Sequence, residues 1–272
     1  MTTLPEAGAL RPARTRTHAL GPVEVTVEVT VEDRDRTRPF LLLHGGGGVA
    51  TMAGFAGLLA ERTRSRVLLP THPGFGGTPK PESLTNVIEL ARVYVALLER
   101  LDLTGVTVAG NSFGGWLAAE IALLGSPRVS AAVLVDPVGL EVEGHAPADV
   151  RGLSPAELRA LSWHDPSKAP VADDGGTGPS PDVRALLGYT GPAMTDPTLA
   201  ARLAGLDLPV QVIWGESDGI VSPAYGRAFA AAIPRSTFTV LPRTGHLPQL
   251  ETPEELLGAL LDFGLQRCCK QF

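Results

Sequence analysis

Only two of the 272 residues are cysteine, and they are the adjacent Cys268 and Cys269. Neighbouring thiols rarely pair and make a poor metal site, so the sequence offers neither a disulfide framework nor a thiolate metal centre. Both cysteines are expected to be inert. Long basic runs are also missing. The net charge is −6, and the one cationic cluster, Arg11, Arg14 and Arg16, reads as a solvated N-terminal tail. Phosphate binding needs a concentrated positive face, so no nucleic-acid partner is expected. No apolar run approaches the roughly 20 residues that span a bilayer, which argues against a membrane partner. The first 20 residues hold arginines but no apolar stretch long enough for a secretory signal. The resulting expectation is a cytoplasmic chain, monomer or homodimer.

What the chain does have is hydrophobic residues, at 44%. At this length a folded chain buries roughly 70–75% of its unfolded surface, so it needs no staple. Val23–Glu32 alternates valine with glutamate or threonine, the period-two pattern of a strand with one wet face. Phe40–Leu43, Val67–Leu69, Val106–Ala109, Ala131–Val135 and Val210–Trp214 are short apolar runs, as in strands covered on both faces. Helical patterns lie between them. Thr85–Leu101 is amphipathic, and Phe113–Leu124 is apolar nearly all round. Pro223–Ile233 and Pro253–Phe263 each start with proline just inside a Ser or Thr cap. This alternation predicts an α/β fold with a mostly parallel central sheet flanked by helices.

From about Val138 to Gly205 no buried strand can be found. Short helical patterns, Pro155–Trp163 and Pro181–Leu187, flank a stretch from Asp173 to Pro181 that reads as a flexible loop. The segment is read as a lid inserted between the sixth and seventh strands. The expected division is an N-terminal tail at 1–20, a core at 21–137 and 206–265, the lid at 138–205 and a C-terminal tail at 266–272. Trp163, Leu186, Leu187, Tyr189 and Met194 are its candidate pocket linings.

Gly110-Asn111-Ser112-Phe113-Gly114 sits between a buried strand and a buried helix, the context a nucleophile elbow requires. Small residues at 110 and 114 let the chain turn sharply and lift the Ser112 hydroxyl clear of the sheet. His44-Gly45-Gly46-Gly47-Gly48 closes an earlier strand. Its bare N–H groups suit a developing negative charge, so Gly46 and Phe113 are the expected oxyanion donors. His44 is expected to brace that loop from below. Asp218 follows the strand Val210–Trp214, with Glu216 its nearest competitor. Asp136, which also follows a buried strand, is the alternative acid. His246 follows a last strand, Thr237–Leu241, and is the one histidine after Asp218.

Taken together, His-Gly-Gly after a strand, Gly-x-Ser-x-Gly-Gly, Trp-Gly-x-x-Asp and Gly-His followed by Pro-Glu resemble the α/β-hydrolase superfamily. His72-Pro73-Gly74-Phe75-Gly76-Gly77-Thr78 is similar to that family's turn after the fourth strand. The similarity runs from about residue 23 to 263. It implies the α/β-hydrolase fold and a serine hydrolase that cleaves a small-molecule ester through Ser112, His246 and Asp218, with no cofactor and no metal. The glycine loop and elbow also resemble the meta-cleavage-product hydrolases, which split a C–C bond in vinylogous diketones. Those carry tryptophan after the catalytic histidine, where this sequence has Leu247. A binding protein on the hydrolase fold, with little turnover, is the remaining alternative.

Overall fold

The computed structural model describes residues 13–20, 25–32, 38–170 and 180–269. Eight strands form one sheet: β1 (Arg14–Leu20), β2 (Val25–Glu32), β3 (Phe40–Leu43), β4 (Val67–Thr71), β5 (Val106–Asn111), β6 (Val129–Val135), β7 (Val210–Gly215) and β8 (Ser236–Leu241). Their order across the sheet is β1-β2-β4-β3-β5-β6-β7-β8. β1 and β2 are antiparallel to their neighbours, and β3 to β8 run parallel. The helices are α1 (Ala50–Thr63), α2 (Val87–Arg100), α3 (Phe113–Leu123), α4 (Pro155–Ser162), α5 (Pro181–Thr190), α6 (Leu199–Leu203), α7 (Pro223–Ala231), α8 (Pro248–Glu251) and α9 (Pro253–Cys269).

Successive strand residues serve opposite faces, and the packing follows that parity. Leu41 and Leu43 face the side covered by α2, α3 and α7, with Val108, Leu134, Val212 and Trp214. Leu42 faces the other side with Ala109, Val133 and Ile213, against α1 and α9. Leu41, Leu42 and Leu43 are wholly buried. Burial of each contributes about 1.5–3 kcal/mol, which is how a four-residue strand holds the middle of the sheet. These strands read as continuous apolar runs because both faces are covered.

Two boundaries are corrected. The expected tail at 1–20 ends in β1, which pairs with β2 from Arg14↔Val31 to Leu20↔Val25. Ladder hydrogen bonds build this rim strand, and its side chains are exposed except toward Leu20, so no apolar pattern announced it. Arg14 and Arg16 therefore stand exposed on a strand, while Arg11 lies outside the described residues. At the other end α9 continues to Cys269, into the expected tail at 266–272. The side chains of Cys268 and Cys269 lie outside the described residues.

Between β6 and β7 the chain forms α4, a 3-10 turn at Pro166–Lys168, α5 and α6. Ser154 caps α4 in a reciprocal box with Glu157, and Ser180 caps α5 with Pro181 at its first turn. Pro181 thus belongs to a helix. The rest of the stretch expected to be a loop, 173–179, lies outside the described residues. Arg202 of α6 pairs with Glu120 of α3 and with Asp196 at 2.6 Å, tying this insert to the core. No helix among the described residues is long and apolar enough to cross a membrane.

Candidate active site

At the C-terminal end of β5 the chain reverses into α3 through Ser112, whose φ of 57° is unusual for a residue with a Cβ. Such a conformation costs on the order of 1–3 kcal/mol and persists where surrounding structure fixes it. Here the Ser112 N–H donates to Val135 O at 2.8 Å, and the Ser112 carbonyl accepts from Gly115 N at 2.9 Å and Trp116 N at 3.1 Å. Gly114 is indispensable to the turn. A Cβ there would fall on the Leu43 carbonyl of the neighbouring strand, where nothing can yield.

Asp218 and His246 leave the ends of β7 and β8 and meet. The His246 Nδ1 donates to Asp218 Oδ2 at 2.7 Å, with both groups buried. The second oxygen of Asp218 accepts from the backbone N–H of Ile220 at 2.8 Å and of Val221 at 3.0 Å. Those bonds fix the carboxylate, and the Nδ1 bond leaves Nε2 as the free acceptor of the neutral ring. Glu216, the competing acid, instead accepts from Arg243 N at 3.0 Å and is turned away from the histidine.

Two amides that sequence reading missed connect the elbow to the histidine loop. The Asn111 amide donates to the His246 carbonyl at 2.9 Å, and Gln249 Nε2 donates to Asn111 Oδ1 at 3.1 Å. Asn111 lies inside the elbow motif, yet its role depends on a contact 135 residues away.

The insert also reaches this site. Its Ser162 carbonyl accepts from His246 N at 2.8 Å, and its Leu161 carbonyl accepts from Gly219 N at 2.9 Å. Glu251 receives Gly245 N at 2.7 Å, His164 N at 3.1 Å and Asp165 N at 2.8 Å. Gly245 is required by the closeness of this docking, because a Cβ would strike the Ser162 carbonyl.

Ser112 and His246 open on one cavity of about 190 Å³, together with Gly45, Gly46 and Gly47. Its walls are Val138, Val150, Leu158, Val183, Leu186 and Met194 from the insert, with Ile220 and Leu247. Of the expected linings, Leu186 and Met194 are present. Trp163, Leu187 and Tyr189 line it nowhere. Tyr189 packs on Phe113 and donates to the Pro73 carbonyl at 3.0 Å, and Leu187 packs against the main core. Periodicity identified buried residues of the insert but could not say which side of each helix met the cavity.

Beneath the glycine loop lies a histidine pair. His44 Nδ1 donates to Gly45 O at 2.8 Å, while its Nε2 accepts from His72 N at 3.2 Å. His72 Nε2 donates to His44 O at 3.0 Å, and its Nδ1 accepts from the Tyr94 hydroxyl at 2.5 Å. Each ring has one donor and one acceptor nitrogen, so this network assigns both as neutral. Burial lowers His44 to about 4 and holds His72 well below the ordinary histidine range.

Asp136 is the third buried acid. Its Oδ1 accepts from Gly215 N at 2.8 Å, and its φ is 46°. Its Oδ2 has no N–H donor; the side chain lies against Asp218 instead. Burial first, and then the charge of Asp218, push the Asp136 carboxyl well above the usual carboxylate range. A protonated Asp136 can donate its hydroxyl to Asp218, which two ionised groups cannot do. Donor atoms of Asp136, Asp218 and His246 lie within 4.8 Å of one another. With Oδ1 of each carboxyl already taken by backbone N–H groups, the cluster suits a shared proton better than a cation.

These buried groups set a pH dependence. Below pH 6.5 the unfolded chain protonates His44 and His72 while the folded chain leaves them neutral down to about 4 for His44. That stability is present above 6.5 and is lost as pH falls. Asp136 acts oppositely above 3.8, because the folded form keeps a proton that the unfolded form releases. The two histidines outweigh the one carboxyl, so unfolding takes up protons and stability falls as pH drops below about 6. Urea unfolding at pH 4.5, 5.5 and 6.5 measures it. Stability that instead rises as pH falls across that interval would mean that the histidines are charged in the fold.

The alpha/beta hydrolase family model matches residues 40–259, most of the chain. The chain belongs to the alpha/beta hydrolase family. It has that family's mostly parallel sheet flanked by helices. Among similar alpha/beta hydrolases, a 2-hydroxy-6-oxo-2,4-heptadienoate hydrolase of Pseudomonas putida is 34% identical over 120 residues. That match covers 43% of this chain and 44% of the relative, so it spans less than half of either. A 2-hydroxy-6-oxo-6-(2'-aminophenyl)hexa-2,4-dienoic acid hydrolase of Metapseudomonas resinovorans is 26% identical over 256 residues, covering 87% of each. In structure, the chain is similar to a thermophilic esterase from Thermogutta terrifontis, with a TM-score of 0.72, 21% identity, and coverage of 93% of this chain and 99% of that one.

Proposed function

We propose that this hydrolase cleaves a carboxylic ester through a Ser112-His246-Asp218 triad and an acyl-enzyme. The observation that supports it most is the Asp218–His246 pair at 2.7 Å, with His246 and Ser112 on the wall of one cavity. In the first half-reaction His246 Nε2 takes the Ser112 proton as Oγ bonds to the substrate carbonyl carbon. The N–H groups of Gly46 and Phe113 hold the oxyanion. The carbon–alkoxy bond then breaks, and the alcohol leaves with the proton from Nε2. Water repeats the sequence and releases the acid, so ester and water become acid and alcohol. Asp218 holds the ring in the Nδ1–H tautomer and stabilises its charged form.

A fluorophosphonate probe is expected to label wild-type protein at Ser112 and at no other serine, as read by peptide mass spectrometry. Labelling elsewhere, or none, would remove the serine-nucleophile reading. The second reading, hydrolysis of a C–C bond in a vinylogous diketone, draws on the two dienoate hydrolases among the relatives. The same groups would act, with His246 moving a proton to or from the substrate ketone. Comparing rates on a ring-opened dienoate and a simple aryl ester separates the two.

A further inference from the structure

We propose that the cavity beside Ser112 selects uncharged esters and turns away substrates that carry a carboxylate. This rests on the serine-hydrolase reading above and names which carbonyl compounds that site would take. Among the described residues, no lysine or arginine lines the cavity; His246 is its one ionisable wall, and Asp218 already holds that ring. Beside Ser112, the polar side chains that remain, those of Thr51, Asn111, Ser162 and Ser180, are neutral. Thr51 Oγ1 donates to Gly48 O at 2.7 Å, the Asn111 amide serves His246 and Gln249, and Ser180 Oγ caps α5. A carboxylate lodged among these walls would lose its water without gaining a charged partner, which is costly.

A fixed negative charge adds to that bias. Asp182, in the first turn of α5, accepts from Gly76 N at 2.9 Å through Oδ1, and its other oxygen overhangs Gly48 of the glycine loop. The carboxylate is thereby held over the loop whose N–H groups would meet the substrate carbonyl. The same bias has a use in turnover, since the acid formed at Ser112 is itself a carboxylate and is driven out.

The test pairs two esters that differ in one end group: 4-nitrophenyl hexanoate and the 4-nitrophenyl monoester of adipic acid, where a carboxylate replaces the terminal methyl. Wild-type kcat/KM is expected to favour the hexanoate by 100-fold or more, and 2-hydroxy-6-oxo-2,4-heptadienoate is expected to be turned over no better than the adipate ester. Asp182→Asn keeps the acceptor for Gly76 and removes the charge, so it is expected to narrow the ratio several-fold by raising the rate on the charged ester. A ratio within threefold in the wild type, or a dienoate rate equal to that of the hexanoate, would overturn the proposal. Binding to Ser112→Ala, measured by calorimetry with hexanamide and 5-carbamoylpentanoate, needs no chemistry. If fluorophosphonate fails to label Ser112 and neither ester is cleaved, the serine reading falls while this amide pair still decides selectivity. Hexanamide tighter by tenfold or more supports the proposal, and equal affinity overturns it.

Discussion

Ser112→Ala is expected to lower kcat on an aryl ester by roughly 10⁴–10⁶-fold with little change in KM. The oxygen removed is the one that would bond to the substrate. The walls that hold the substrate are apolar side chains from the insert and stay in place. Folding should be nearly untouched, because Ser112 is anchored through its backbone N–H and carbonyl. Alanine meets the same positive φ that serine does. Kinetics beside a urea melt measure both quantities. A loss below tenfold with an unchanged melt would require a different nucleophile.

The two buried acids should behave in opposite ways. Asp218→Asn is expected to cost about 10⁴-fold in kcat, because an amide presents an N–H to Nδ1 and favours the wrong tautomer. Asp136→Asn is expected to cost less than about tenfold. A neutral acid is replaced there by a neutral amide that can still accept from Gly215 N and donate to Asp218. The Asp136→Asn variant also loses the group that opposes the histidines in the pH balance. Its proton uptake on unfolding should exceed that of the wild type, and its stability relative to wild type should increase as pH rises above about 4. Should Asp136→Asn prove the more damaging to kcat, the acid of the site would be Asp136.

How much of this was legible in the sequence depends on what each element is made from. Strands buried on both faces announce themselves, so β3 to β7 and the glycine and serine turns that follow β3 and β5 were readable. β1 was not, because Arg14–Leu20 is held by pairing with β2 while most of its side chains face water. Helix α1 carries Met52, Phe55, Ala56 and Leu59 on one face, but Gly54 and Gly57 dilute its helical pattern. The candidate residues Ser112, Asp218 and His246 were named from motif and order alone. Their supports were not. Asn111 with Gln249, His72 with Tyr94, and Glu251 with the insert are partners only because the sheet order brings distant segments together.

The docking of α4 against the Asp218 and His246 loops bears on how this chain could be recombined with its relatives. The insert begins in sequence after β6, and a graft of another enzyme's insert would ordinarily be cut at Pro137. Yet the Leu161 and Ser162 carbonyls serve Gly219 and His246, so α4 behaves as part of the frame that positions the His246 loop. A crossover at Pro137 would import a foreign frame along with foreign walls. One placed after Asp165 would keep Leu161, Ser162 and both Glu251 contacts native, exchanging α5 and α6 while preserving the position of the His246 loop.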